Sequence, residues 1–226
     1  MDILGKPLVI RVAERTAAAL GNENVVIATE DSRISEVVEH WGYRSVITTN
    51  KPATGTDRLW EVAQIIKADI YINVQGDEPL ILPKDILKVL ERKRLYPDVV
   101  INGYQQISPE ENPESVNIPK VVFAENGDLL YMSRSALPGT KSGTIPKAYY
   151  KQVCIYGFSY AELKTFGEHN GKTRLESYED IEILRFLELG HKVTMIELSG
   201  SSLAVDVPED VQKVEQALKK SSEEEN

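Results

Sequence analysis

The chain has 226 residues, 42% hydrophobic and 27% charged, a composition that suits a globular protein of one sizeable α/β domain, with or without a small insertion. Its 26 Lys and Arg against 35 Asp and Glu leave a net charge of −9, which argues against nucleic acid or an anionic membrane as partner, since attraction to phosphate dominates such binding. No apolar run approaches the roughly 18 residues of a membrane helix, the opening MDILGKPLVIRV lacks a signal-peptide pattern, and the single cysteine, Cys154, excludes an intramolecular disulfide; together these features predict a cytoplasmic protein.

Strand-like and helix-like segments alternate from the start. Pro7 to Leu20 reads as a helix stopped by Gly21, and Val25 to Ala28 as a short apolar strand. Asp31 and Ser32 cap the next helix, Ser45 to Thr48 is a second strand, and Thr54–Asp57 leads into a helix over RLWEVAQII. Asp69 to Val74 is a third strand, followed by the turn Gln75–Pro79. A helix opened by Pro83 runs to about Leu95, and Val99 to Gln105 is again a strand. This rhythm predicts an α/β fold with a Rossmann-like, doubly wound, mostly parallel sheet.

The rhythm breaks between 108 and 150. Lys120–Phe123, the turn Asn126-Gly127 and Leu129–Ser133 give a hairpin signal, and the stretch holds five prolines. It reads as an insertion and a dimer contact. The domain is thus expected to run over 1–107 and 151–218 around the insertion 108–150. Within its second part lie strand Gln152–Phe158, helices at about 160–168 and 176–189, and strand Lys192–Leu198. A last strand ends at Asp206 before a helix opened by Pro208, and the tail 219–226 is expected to be disordered.

Asn73-Val74-Gln75-Gly76-Asp77-Glu78-Pro79 is the strongest local signal: an apolar strand runs into a Gly turn carrying two carboxylates. Ligands of open α/β sheets sit beyond the carboxyl ends of strands, and Mg²⁺ takes carboxylate oxygens together with substrate phosphates. A solvated polar turn is the competing reading. Asp206 also ends a strand and could share a metal with Asp77, or could cap the helix at Pro208. Thr54-Gly55-Thr56-Asp57-Arg58 starts a helix whose N–H groups suit an anion or a base carbonyl, or is simply a cap. Lys120 and Ser133-Arg134 flank the hairpin and could hold a substrate carboxylate, or be solvated charges. Glu176, Glu179, Glu182 and Arg185 recur at helical spacing, which predicts an exposed face laced with ion pairs. No pair among His40, His169 and His191 has metal-ligand spacing. Walker, G-x-G-x-x-G and G-x-S-x-G motifs do not occur.

Taken in order, DILGKPLVIRVAERT, VVIATED, TGTDRLWEV, INVQGDEP, NIPKVVFAENGDLLYMSRSALPG, CIYGF, LESYEDIEILR and AVDVPEDV resemble the 3-deoxy-manno-octulosonate cytidylyltransferases over nearly the whole chain. The combination of INVQGDEP, YMSR and VDVPED is specific; INVQGDEP alone also fits other sugar nucleotidyltransferases. The resemblance implies a homodimer that activates a 3-deoxy-ulosonic acid, the octulosonate or its 8-amino analogue, with CTP for lipopolysaccharide or capsule synthesis. It implies that Asp77 and Asp206 hold Mg²⁺, with Arg134 beside them in catalysis. Thr56, Asp57, Arg58 and Gln75 would lie around the nucleotide; Lys120, Ser133, Arg134 and Glu176 would lie toward the sugar. Another acidic sugar, such as a nonulosonic acid, and a catalytically impaired binding protein are the rival readings.

Three departures from the family pattern stand out. The family's first strand and phosphate-gripping loop fall before Met1, which predicts weak CTP binding by the chain as it stands and little for the helix Pro7–Leu20 to bury against. Gln152 stands where the family commonly has His, and Ile183 where it commonly has Gln. By the resemblance both lie in the sugar-facing half.

Overall fold

The computed structural model describes residues 1–143, 146–199, 204–205 and 208–224. The chain forms two compact units, one of Met1–Lys51, Val74–Lys88 and Ser199–Asn226, the other of Pro52–Asn73 and Val89–Leu198.

In the first unit, β1 (Asp2–Ile3) and β2 (Lys6–Pro7) pair antiparallel. Leu4 and Gly5 turn between them, both at positive φ (49° and 74°). Arg11 secures this turn by donating to Ile3 O at 2.8 Å from Nε and 2.5 Å from Nη2. Helix α1 (Leu8–Leu20) ends at Gly21, whose φ of 84° suits only glycine well. Contrary to the expectation that it has little to bury against, α1 buries Ile10, Val12 and Ala13, and its Leu8 packs on a core of Ile3, Leu80, Val205 and Val214. Of that core, Ile3 lies in β1 and Val214 in α8 (Pro208–Glu224). Helix α8 continues to Glu224, through much of the tail expected to be disordered.

β3 (Val26–Thr29) and β4 (Arg44–Ile47) pair in parallel through α2 (Ser32–His40), a small βαβ unit. Asp31 caps α2, accepting from Arg33 N at 2.8 Å. Among the described residues β4 is the only strand paired with β3.

In the second unit, six strands form a mixed sheet in the order β10 (Val193–Glu197), β6 (Val100–Gln106), β9 (Tyr150–Phe158), β7 (Lys120–Phe123) and β8 (Leu129–Ser133), with β5 (Tyr71–Val74) also pairing β9. β6 and β10 run parallel, as the α/β rhythm predicts. The β7–β8 hairpin expected from 120–133 joins the same sheet, so β9 meets β6 and β7 antiparallel. α3 (Gly55–Ile65), α5 (Tyr160–Glu168), α6 (Arg174–Glu179) and α7 (Ile183–Glu188) build the helical side of this unit. Phe186 stacks between Phe158 and Phe166 at centroid distances of 5.2 and 4.8 Å. Each of these buried rings contributes roughly 2 kcal/mol over leaving it in water.

α4 (Pro83–Leu95) sends Lys93 into this core. Its Nζ donates to Glu162 at 2.6 and 2.8 Å and to Pro97 O and Val99 O at 2.8 Å each. All three ammonium protons thereby find acceptors, the condition for burying such a charge.

Candidate active site

The TGTDR segment becomes the first turn of α3. Thr54 is its N-cap, accepting from Asp57 N at 3.1 Å and donating to Asp57 Oδ2 at 2.9 Å. From 128 residues further along the chain, Arg185 on α7 donates to Asp57 Oδ1 at 2.7 Å. The same guanidinium forks onto both carboxylate oxygens of Glu176 at 2.6 and 2.7 Å and lies 3.7 Å over the Phe166 ring. Glu182 accepts from Thr56 N at 3.0 Å. Burial pushes the Glu182 carboxyl above its ordinary range, against hydrogen bonds from Thr56 N–H and the Thr54 hydroxyl, and Asp57 adds repulsion. Thr56, Asp57 and Glu176, candidates from sequence, are thus brought together, with Arg185 and Glu182 as their unforeseen partners.

The expected exposed ion-pair face is corrected here: Glu176 and Arg185 are buried, at 0% and 1% exposure. The helix expected over 176–189 is two short helices, broken where Asp180 adopts a left-handed φ of 51°. The break re-aims Arg185 at Glu176, which a continuous helix would not do from nine residues away.

A second cluster closes around the other end of α6. Glu179 accepts from Ser133 Oγ at 2.6 Å, Arg134 N at 2.8 Å and Tyr131 OH at 3.2 Å. Burial pushes its carboxyl up, but these donors and the Arg134 charge outweigh it, so it sits below the ordinary value. Arg134 donates from Nε to Glu179 O at 2.5 Å, from Nη2 to Asp180 O at 2.9 Å and from Nη1 to Val116 O at 2.8 Å. It thereby satisfies carbonyls left open at the end of α6. Lys120 Nζ is buried and donates to Ser115 O at 2.7 Å and Arg134 O at 2.5 Å, and burial lowers its pKa. Lys120, Ser133 and Arg134 therefore do come together, and in this structure their polar groups engage the protein itself. One helix of six residues, α6, carries both clusters, Glu176 in one and Glu179 in the other.

Gln152 on β9 faces Asn102 on β6, with Nε2 to Oδ1 at 3.0 Å. Arg58 lies in the first turn of α3, its N–H bonded to Thr54 O at 3.1 Å.

In the other unit, Gln75 and Asp77 sit in the turn after β5, where Glu78 N reaches Gln75 O at 3.4 Å. Val205 N donates to Asp77 O at 2.9 Å, which lays residue 205 against the Asp77 backbone. Asp206, the next residue, lies outside the described residues. Carboxylate oxygens on Asp77, joined by phosphate oxygens, are the donor set Mg²⁺ prefers, and it needs only one or two protein carboxylates. No cluster of three or more His, Cys, Asp or Glu with metal-binding geometry occurs among the described residues.

An α/β sheet with a carboxylate turn beyond β5 and a capped, hydroxyl-rich helix start at α3 is the fold of a nucleotidyltransferase. The family model described as Cytidylyltransferase matches residues 1–194. A 3-deoxy-manno-octulosonate cytidylyltransferase from Geobacter metallireducens is 39% identical, covering 96% of this chain and 89% of that one. An 8-amino-3,8-dideoxy-manno-octulosonate cytidylyltransferase from Shewanella sp. strain W3-18-1 is 36% identical over the same shares. The solved structure of a CMP:2-keto-3-deoxy-manno-octonic acid synthetase complexed with CTP superposes with a TM-score of 0.89 at 33% identity, covering 98% of this chain and 91% of that one. The chain belongs to the cytidylyltransferase family.

Proposed function

We propose that this chain transfers CMP from CTP to an acidic 3-deoxy-ulosonic sugar. The hydroxyl beside the sugar carboxylate attacks the α-phosphorus, its proton goes to solvent, and pyrophosphate leaves with the electron pair of the broken P–O bond. The observation that carries the reading is the likeness, over 98% of the chain, to a synthetase of that class complexed with CTP. Reactions of this kind are accelerated mainly by positioning and charge neutralisation.

Thr56, Asp57 and Arg58 at the α3 start have nucleotide-binding roles, and so has Gln75. Lys120, Ser133, Arg134, Gln152 and Glu176 belong to the sugar side, where Lys120 acts by fixing the Arg134 backbone. Asp77 and Asp206 would hold Mg²⁺, which would supply neutralisation of the phosphate charge. Support for the pairing is the Val205 N–H bond to Asp77 O, since it brings the chain to within one residue of Asp206.

The sugar is the octulosonate or its 8-amino analogue; relatives named for the parent sugar are 35% to 39% identical, and a Shewanella relative named for the amino sugar is 36% identical. Further parts of the proposal are cytoplasmic lipopolysaccharide or capsule synthesis and a homodimer through 108–150. A pyrophosphate-release assay with CTP and a panel of octulosonate, 8-amino-octulosonate and nonulosonate tests the reading. Release with an octulosonate supports it, release with only the nonulosonate moves the chain to another acidic sugar, and none with any sugar leaves a binding protein.

A further inference from the structure

The β6–β9 ladder slips at Asn102/Gly103, and the slip leaves two β9 carbonyls, Val153 O and Ile155 O, turned toward Asn102. Asn102 is fully buried, and its Nδ2 donates to both at 3.0 Å. Carbonyl oxygens only accept, so the Asn102 amide has one permitted orientation: nitrogen toward β9, oxygen away from it. That oxygen accepts from Gln152 Nε2 at 3.0 Å, and the same nitrogen reaches the Tyr156 hydroxyl at 3.3 Å. The orientation of Gln152 is therefore inherited from two backbone carbonyls. Its nitrogen is committed inward, and its Oε1 is the outward end of the relay. Gln152 is half-buried, and among the described residues no hydrogen bond ends on Oε1.

We infer that Asn102 and Gln152 form a specificity-determining amide relay whose outer atom, Gln152 Oε1, accepts a hydrogen bond from a hydroxyl or ammonium of the sugar. The inference rests on the functional reading above, in which Gln152 faces the sugar. An imidazole at this position can donate; the locked glutamine can only accept. An ammonium gains more from such an acceptor than a hydroxyl does, because charge-assisted bonds are roughly twice as strong. The relay therefore tilts selection toward an amino-substituted sugar. Asn102 touches no substrate and is a positioning residue.

The test compares kcat/KM for the octulosonate and its 8-amino analogue in the full chain, in Gln152→His and in Gln152→Met, with calorimetric binding of each sugar as a readout free of turnover. The amino-to-hydroxyl ratio is expected to fall about tenfold or more in both variants, since sites built around one polar group discriminate strongly. KM for CTP should stay unchanged, which a merely structural defect would not achieve. A ratio that is the same in all three proteins overturns the inference while leaving the functional reading intact. If the unmodified chain neither binds nor turns over any acidic sugar, both fall.

Discussion

Arg185 Nη1 stands 2.7 Å from Asp57 Oδ1, joining residues 128 positions apart. Asp57 lies in the first turn of α3 and also accepts from its N-cap, Thr54. Arg185 simultaneously holds Glu176, so the first turn of α3 and helix α6 share one cation. A buried cation between two carboxylates is poorly replaced by anything apolar on one side alone.

Replacing Arg185 by Met should therefore destabilise the protein by about 3–5 kcal/mol, because the buried Glu176 charge is left without its partner. Arg185→Lys keeps the charge but loses the fork, and should fall between. Adding Glu176→Gln to Arg185→Met should recover part of the loss. Urea unfolding measures all three; a cost below about 1 kcal/mol for Arg185→Met would show that the network contributes little.

Glu182 and Glu179 should give opposite pH dependences. Burial raises the Glu182 pKa above 4.5, so its contribution is fully present below 4.5 and is lost as pH rises through the raised value. Glu179 sits below 4.5, so its contribution is present above 4.5 and is lost as pH falls through the lowered value. Relative to the unmodified protein, Glu182→Gln should therefore gain stability with rising pH and Glu179→Gln should lose it. Urea midpoints over a pH series check this, and slopes of the same sign would contradict it.

Gly167 on α5 faces the Trp60 ring of α3, and a Cβ built there would fall 2.0 Å from Trp60 Cδ1. Gly167→Ala should cost about 1–3 kcal/mol, because overpacking forces side chains or backbone to shift. Trp60→Leu in that background should restore part of it. A Gly167→Ala midpoint equal to the unmodified one would mean that the α3–α5 contact is looser than the structure has it.

Much of the architecture was legible in the sequence because it rests on local signals. Asp31 and Thr54 are caps where their side chains say they should be, and the Asn126-Gly127 turn does separate β7 from β8. The clusters of the second unit were legible only in part. Thr56, Asp57, Ser133 and Arg134 stand out as motif residues, but their partners do not. Glu176, Glu179, Glu182 and Arg185 read as a solvated helix face, and the left-handed Asp180 that turns Arg185 inward leaves no local mark. Asn102 is a lone amide in a strand, and its role depends on a slip in pairing with a segment some fifty residues later. Lys93 sits in the charged run Glu91–Arg94, where only tertiary packing decides which charge is buried.

Asp77→Asn should lower kcat roughly 10²-fold or more with the urea midpoint unchanged, since a metal carboxylate acts on developing charge rather than on packing. The loss should not be overcome by raising the sugar concentration. Near-normal turnover would remove Asp77 from the metal site.

Transfer of CMP to a 3-deoxy-ulosonic acid can be followed by ³¹P NMR of the chain with CTP, Mg²⁺ and octulosonate. The three CTP resonances should give way to pyrophosphate and a single phosphodiester signal of a CMP-sugar, in equal amounts. CTP that stays intact with every acidic sugar offered, or that yields only free CMP, would contradict it.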